Sequence, residues 1–181
     1  MSFKTLFLDR DGIINERIID GYVTNLNQFI FRPDFLNSLS LLARLFDKVF
    51  VVSNQQGIGK GIMTTKFVDL LHQNMCQELK KRAFFIEKVY YCPHLATDHC
   101  ECRKPKIGLA RQAKVDFPEI DFSQSLMIGD SESDILFGKN CDMKTALISD
   151  TLSHSTLLLP DYHFNSIFEL AKKFAIKKFR S

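Results

Sequence analysis

"KTLFLDRDG", residues 4–12, decides the fold. Thr5 to Leu8 form a near-continuous apolar run, too short for a helix and suited to a strand buried on both faces. The run stops abruptly at Asp9, Arg10, Asp11 and Gly12. The same plan recurs along the chain. "KVFVVS" (48–53) runs into Ser53-Asn54, "EKVYY" (87–91) into a cysteine-rich loop, "SLMIG" (125–129) into Asp130, and "KTALI" (144–148) closes the series. Between these runs the apolar residues take helical spacing. Phe35, Leu39, Leu42, Ala43 and Phe46 follow Pro33-Asp34, and Phe67, Leu70, Leu71, Met75 and Leu79 follow Thr64-Thr65. Shorter helices are expected near 107–115 and 132–140, an edge strand at 162–164 and a last helix near 166–178. Strands alternating with helices predict an α/β fold, a parallel sheet with helices on both faces.

Such a Rossmann-like sheet binds its ligands at the carboxyl ends of the strands. The chain has 181 residues, 45% hydrophobic and 25% charged, which predicts a single soluble domain spanning 1–181 with a real core. A net charge of +3 suits a small anionic substrate. There is no basic stripe with interleaved aromatics, so nucleic acid is not expected as a partner. The basic end "KKFAIKKFRS" reads as a solvated helix terminus. No apolar stretch reaches the roughly 18 residues of a membrane helix, and the first residues do not form a signal peptide. The expectation is a cytoplasmic monomer that does not touch the membrane.

Each strand end carries polar residues. Asp9 and Asp11 are two apart, so on an extended strand both side chains face one way. Two close carboxylates are tolerated best with a cation between them or a proton on one. Gly12 lets the chain turn sharply, and the stretch also fits a plain solvated turn. Ser53, Asn54 and Gln55 open "SNQQGIGKG", whose glycines match neither the dinucleotide fingerprint nor the P-loop. Hydroxyl, amide and backbone N–H groups there could hold a phosphate oxygen. Lys104 is a compact cation suited to phosphate, or an ordinary surface lysine. Asp130 follows Gly129 and could cap a helix, with Asp134 one turn on.

The loop within "YYCPHLATDHCECRKPK" (90–106) gathers three of the five cysteines. In a reducing compartment that favours metal over disulfides. Cys92, His94, Cys100 and Cys102 can close a tetrahedral Cys₃His zinc site, with His99 as an alternative histidine. Metal would fix a loop too small to pack a core of its own, and so position Arg103 and Lys104. Cys76 and Cys141 read as small buried hydrophobes.

Acid pair, Ser-Asn, Lys and Gly-Asp, each at a strand end and in this order, are far more specific together than singly. From residue 4 to about 148 the chain resembles the haloacid dehalogenase superfamily of phosphatases. "LDRDG", "DGYV", "NQQGIGKG", "CPH" and "CxCRKP" resemble its branch of heptose bisphosphate and histidinol-phosphate phosphatases. The short loop at 92–106 is closer to the histidinol-phosphate members, the other motifs to the heptose members.

The resemblance implies Mg²⁺-dependent phosphatase chemistry through an aspartyl-phosphate. Asp9 would be the nucleophile and Asp11 the general acid and base. Mg²⁺ would lie on Asp9, Asp130 and the Asp11 backbone carbonyl. Ser53, Asn54, Gln55, Arg103 and Lys104 would bind phosphate or substrate, with Asp134 holding Lys104 or a metal-bound water. Zinc would sit on Cys92, His94, Cys100 and Cys102. The implied substrate is a small phosphorylated sugar, foremost the 7-phosphate of D-glycero-D-manno-heptose 1,7-bisphosphate, with histidinol phosphate as the alternative. A non-catalytic zinc-stabilised binding module is the rival of another class, and retention of Asp11 speaks against it.

Three departures stand out. Ile13 replaces the usual Thr, Ser131 replaces the usual cation after the fourth-motif aspartate, and the segment between Asn15 and "DGYV" is longer than in typical heptose members. Neither residues 12–47 nor 92–103 leave room for a cap domain, so an open cleft walled by loops 15–23, 55–63 and 92–104 is expected.

Overall fold

The four residues of β1 (Thr5–Leu8) are all buried, as their unbroken apolar run requires. A computed structural model of the chain describes residues 3–150 and 159–180. In it β1 is followed by α1 (Pro33–Leu45), β2 (Lys48–Asn54), α2 (Thr65–Lys81), β3 (Lys88–Cys92) and α3 (Gly108–Asp116). Then come β4 (Ser125–Gly129), α4 (Glu132–Asn140), β5 (Lys144–Ile148), β6 (Tyr162–Phe164) and α5 (Ile167–Arg180). The strands form one sheet in the order β3-β2-β1-β4-β5-β6, and every neighbouring pair is parallel. In register, Leu6 lies between Val49 and Leu126.

Successive residues of a strand face opposite sides of the sheet. Leu6, Leu8, Val49, Val51, Leu126 and Ile128 accordingly join α1, α5 and the far half of α2 in one core. Phe7, Phe50, Val52 and Met127 join Leu109, Ala110 and Ala113 of α3 and Phe137 of α4 in a second. Phe7 stacks on Phe50 at 5.3 Å between ring centres, and Phe50 meets Phe117 edge-on at 4.9 Å. Full burial of a side chain of this size contributes about 1.5–3 kcal/mol. Two filled faces explain why the inner strands β1, β2 and β4 do not alternate between apolar and polar.

Two helix starts follow local chemistry. Pro33 opens α1, where its missing N–H costs nothing, and the Thr64 hydroxyl accepts from the Phe67 N–H at 3.1 Å to cap α2. The buried faces differ in phase from the expected apolar stripes. On α2, Val68, Leu71, His72, Met75 and Leu79 are buried while Leu70 is exposed, and on α1 Leu45 is buried in place of Ala43. The apolar stripe of each helix is wider than the strip that docks on the sheet, so spacing alone leaves the phase open.

Residues 9–32, between β1 and α1, hold one 3₁₀ turn (Leu26–Gln28) and isolated bridges of Asn15 to Asp11 and Phe31. Residues 93–107 hold another 3₁₀ turn (Ala96–Asp98). Among the described residues, neither connection folds into a cap domain. Lys172, Lys173, Lys177 and Lys178 of the basic end are exposed on α5, while the side chains of Phe179 and Arg180, and Ser181, lie outside the described residues. No helix among the described residues is long and apolar enough to cross a membrane.

Candidate active site and metal cluster

β1 lies in the middle of the sheet, so the residues after it emerge between the ends of β2 and β4. Asp9 continues the β4 pairing through its N–H to the Ile128 carbonyl, at 2.9 Å. Its carboxylate is nearly buried and accepts from the Lys104 ammonium, Nζ to Oδ1, at 2.7 Å. Lys104 also donates to Asp134 Oδ1 at 2.5 Å and to the Val52 carbonyl at 2.7 Å. These are three acceptors for the three protons of an ammonium. Burial pulls the Lys104 pKa down, but Asp134 and then Asp9 more than reverse it, so the pKa is raised and Lys104 is a cation.

Burial pushes the Asp9 carboxyl up to about 7, helped by Asp134, Asp130 and Asp11 and opposed by Lys104. Asp130 is also raised, by burial and by Asp134, against the pull of Arg17. Carboxylate oxygens of Asp9, Asp130 and Asp134 lie within 4.8 Å of one another. Asp134 spends one oxygen on Lys104. The other accepts from the Ser131 N–H at 3.1 Å and the Ser131 hydroxyl at 2.5 Å. Asp134 is therefore a brace with both oxygens spent, while Asp9 and Asp130 each give one oxygen to a cation, Lys104 and Arg17, and keep the other for a metal. That donor set fits a hard divalent cation such as Mg²⁺.

Two glycines make this packing possible. Gly12 has φ +89, and a Cβ there would fall 2.0 Å from Asp130 Oδ2. At Gly129 a Cβ would fall 2.2 Å from the Cβ of Asp134. Neither acid could stand where it does beside a larger residue.

Asp11 faces the same cleft as Asp9 but joins a different network. Arg10 Nη2 donates to both its oxygens, at 2.8 and 2.7 Å, Asn15 Nδ2 to Oδ1 at 2.9 Å and Gln55 Nε2 to Oδ2 at 3.0 Å. Burial works to raise the Asp11 pKa, but Arg10 and the two amides prevail and hold it below the ordinary carboxylate value. Arg10 is itself 1% exposed and places Nη1 3.1 Å from His72 Nε2. Burial, then Arg10, drive the His72 pKa down to about 3, so the ring is neutral and Nε2 accepts from the guanidinium.

Gln55 also donates to the Ser53 hydroxyl at 2.8 Å, which ties Ser53 to Asp11. Asn54 clamps the backbone of Lys104 from both sides. Its Nδ2 donates to the Lys104 carbonyl at 3.1 Å, and its Oδ1 accepts from the Lys104 N–H at 3.0 Å. Arg103 lines the same cleft, with Nη1 buried and without a hydrogen-bond partner among the described residues. Ser131 caps α4. Ile13 is fully buried in the core beneath the Asp9–Asp11 turn, so it packs rather than facing the cleft.

The cleft has a volume of about 590 Å³. It brings together Asp9, Asp11, Ser53, Asn54, Gln55, Arg103, Lys104, Asp130 and Asp134, residues drawn from all four strand ends. Arg10, Asn15, Arg17 and His72 were not singled out from the sequence. Arg10 had a signal, its place between the two aspartates. A neutral histidine on an amphipathic helix face had none.

At the end of β3 the four soft ligands converge. Cys92 Sγ is 3.1 Å from Cys102 Sγ, 3.5 Å from Cys100 Sγ and 3.6 Å from His94 Nδ1. His94 Nδ1 is 3.1 Å from Cys102 Sγ, and Cys102 is 3.6 Å from Cys100. All five cysteines are free thiols. Separations of this size approach the edges of a tetrahedron with metal bonds of about 2.0–2.3 Å, so the set fits zinc. His94, not His99, belongs to the cluster. The pKa of Cys100 is lowered, since hydrogen bonds from the Arg103 backbone and the neighbouring cysteines outweigh desolvation.

Residues 101–170 match the family described as HAD-hydrolase-like. The chain is 40% identical over 146 residues to the D-glycero-beta-D-manno-heptose-1,7-bisphosphate 7-phosphatase of Helicobacter pylori, covering 80% of this chain and 83% of that one. It is 38% identical over 152 residues to the D-glycero-alpha-D-manno-heptose-1,7-bisphosphate 7-phosphatase of Campylobacter jejuni, with 82% and 83% covered. It also matches the histidine biosynthesis bifunctional protein HisB of Baumannia cicadellinicola, 38% over 141 residues, covering 77% of this chain and 39% of that one. Among solved structures, the D,D-heptose 1,7-bisphosphate phosphatase of B. bronchiseptica, complexed with magnesium and phosphate, shares the fold. Its TM-score is 0.86 at 24% identity, over 96% of this chain and 99% of that one.

Proposed function

Since this chain belongs to the haloacid dehalogenase-like hydrolases, in the family of the heptose-1,7-bisphosphate 7-phosphatases, we propose that it removes the 7-phosphate of D-glycero-D-manno-heptose 1,7-bisphosphate. The observation that carries the reading is Asp9, nearly buried at a central strand end, paired with the buried Lys104 ammonium and open to a polar cleft without a cap.

Asp9 attacks phosphorus and forms an aspartyl-phosphate as the sugar oxygen departs. Asp11 gives that oxygen a proton, then takes one from the water that cleaves the intermediate. Arg10 favours ionised Asp11, the form that acts as base. A phosphate dianion arriving beside it adds negative charge and favours the protonated form needed for the first step. Lys104 and Ser53 meet the phosphoryl oxygens. Gln55 keeps Asp11 and Ser53 in register, and Asn54 holds the Lys104 backbone in place. The buried Nη1 of Arg103, without a partner among the described residues, can donate to an anionic group of the substrate. Asp9, Asp130 and the Asp11 backbone carbonyl would hold Mg²⁺, which supplies the charge that lets a carboxylate approach a phosphate dianion. Cys92, His94, Cys100 and Cys102 would hold Zn²⁺, which fixes the loop that carries Arg103 and Lys104. Free cysteines gathered as soft metal ligands favour a reducing compartment, the cytoplasm.

A second reading, histidinol phosphate, draws on the short loop at 92–106 and on the match to part of the bifunctional histidine-biosynthesis protein. Phosphate release from both heptose bisphosphate anomers and from histidinol phosphate separates the two. The heptose substrates should turn over fastest, and Asp9→Asn should abolish all Mg²⁺-dependent release with the fold kept. Much faster hydrolysis of histidinol phosphate would overturn the assignment, and Asp9→Asn turnover near the wild-type rate would overturn the mechanism.

A further inference from the structure

Asp9, Ser53 and Lys104 account for one phosphate of the substrate. The second must find its own cations on the cleft wall. Two of the cations lining the cleft are committed, Arg10 to Asp11 and His72, and Lys104 to Asp9, Asp134 and the Val52 carbonyl. The start of α4 offers none, since Ser131 and Ser133 stand there with their hydroxyls 2.9 Å apart and Ser131 bound to Asp134. Arg17, Lys60 and Arg103 remain.

Arg17 differs from the other two in what it touches. It stands on the 15–23 loop with its side chain 60% exposed, and its Nη1 lies 3.2 Å from Asp130 Oδ2. Asp130 is also one of the carboxylates that could hold the metal. A divalent cation held by Asp130 competes with Arg17 for the same carboxylate. An exposed pair of this kind is weak, so the competition is easily lost by the side chain. A guanidinium released from Asp130 is left inside the cleft beside the reacting phosphate, with its fork of donors free. That fork matches the oxygens of a second phosphate. Lys60 lies at the same mouth, its Nζ 5.4 Å from the centre of the Tyr22 ring.

We propose that Arg17 is a specificity-determining residue. It rests on Asp130 until a divalent cation displaces it, and then grips the phosphate of the bisphosphate that is not cleaved. This rests on the reading of the site as a bisphosphate phosphatase and adds the residue that tells a bisphosphate from a monophosphate.

The test compares kcat/KM for heptose 1,7-bisphosphate and heptose 7-phosphate in wild type, Arg17→Ala and Arg17→Lys. Arg17→Ala should lower the ratio of the two, bisphosphate over monophosphate, by about tenfold or more, through KM rather than kcat. Arg17→Lys should restore part of it. Titration calorimetry of Mg²⁺ without substrate gives a second readout. Losing the competitor on Asp130 should tighten Mg²⁺ binding by up to about fivefold. If wild type shows no preference for the bisphosphate, the functional reading falls and takes the role of Arg17 with it. If wild type prefers the bisphosphate and Arg17→Ala keeps that preference, or binds Mg²⁺ more weakly, the role of Arg17 alone is overturned.

Discussion

Replacing Lys104 by Met keeps the length of the side chain and removes its charge. Lys104 is 2% exposed at the side chain and makes three short contacts, to Asp9, Asp134 and the Val52 carbonyl. The variant leaves the Asp9 and Asp134 carboxylates facing each other in a buried site and strands a carbonyl. Removing one partner of a buried ion pair costs about 3–5 kcal/mol. For a chain of this size that is a fall in Tm of roughly 6 to 20 °C. Urea unfolding followed by circular dichroism, in Mg²⁺-free buffer, measures it. Asp134→Asn added to Lys104→Met removes one of the stranded charges and should recover at least about 1 kcal/mol. The sign of the pH dependence follows from Asp9. Burial already raises its folded pKa to about 7 from an ordinary 3.8, and without Lys104 it rises further. A carboxyl with a raised folded pKa weakens the fold as pH climbs through that gap. The deficit of Lys104→Met should therefore widen between about pH 6 and pH 8.5. A loss below about 1 kcal/mol, or a deficit that does not change with pH, would refute the picture of a charged, structurally required Lys104.

Protein purified without added metal should carry about one zinc per chain by elemental analysis, and Cys102→Ser should lose it. Zinc near zero with activity intact would rule out the Cys₃His reading. His72 should make the fold acid-sensitive. Its pKa falls from 6.5 to about 3 on folding, so the stability of the neutral ring is complete above 6.5 and erodes as pH drops through that window, by at most about 2 kcal/mol at pH 5. His72→Gln should flatten the fall of the urea midpoint between pH 7 and pH 5, and an unchanged fall would show that the ring is not held neutral.

The sheet was legible because each strand is apolar on both faces and each strand end turns polar at once. β4, β5 and β6 fall at the expected residues, and every expected helix is present within a few residues of its bounds. Helix phase was less legible, as Leu70 and Val68 show. Both are apolar, and only docking on the sheet decides which one is buried. The candidate site residues that share the cleft could be picked out by order along the chain, but their supports could not. A buried arginine contradicts the usual preference of that residue for solvent. Arg10 stands between two aspartates, but its burial as the clamp of Asp11 is set by packing, and nothing local marks His72 as the acceptor behind it. Asn54 shows the same limit, since its bonds reach a backbone fifty residues away.

β1 owes its place at the centre of the sheet to crossovers rather than to neighbours in sequence. Asp9, Ser53, Lys104 and Asp130 meet only once β3, β2, β1 and β4 lie side by side. Closing such separations is entropically slow, and parallel pairing is among the slower events of folding. No fragment that lacks either half of the chain can hold the reaction centre. Until β4 has joined the sheet, the cleft lacks Asp130 and Asp134. Under the proposed mechanism, activity is thus itself a late reporter of folding, and Asp9 and Asp130 come together only when the rest of the sheet is there to hold them.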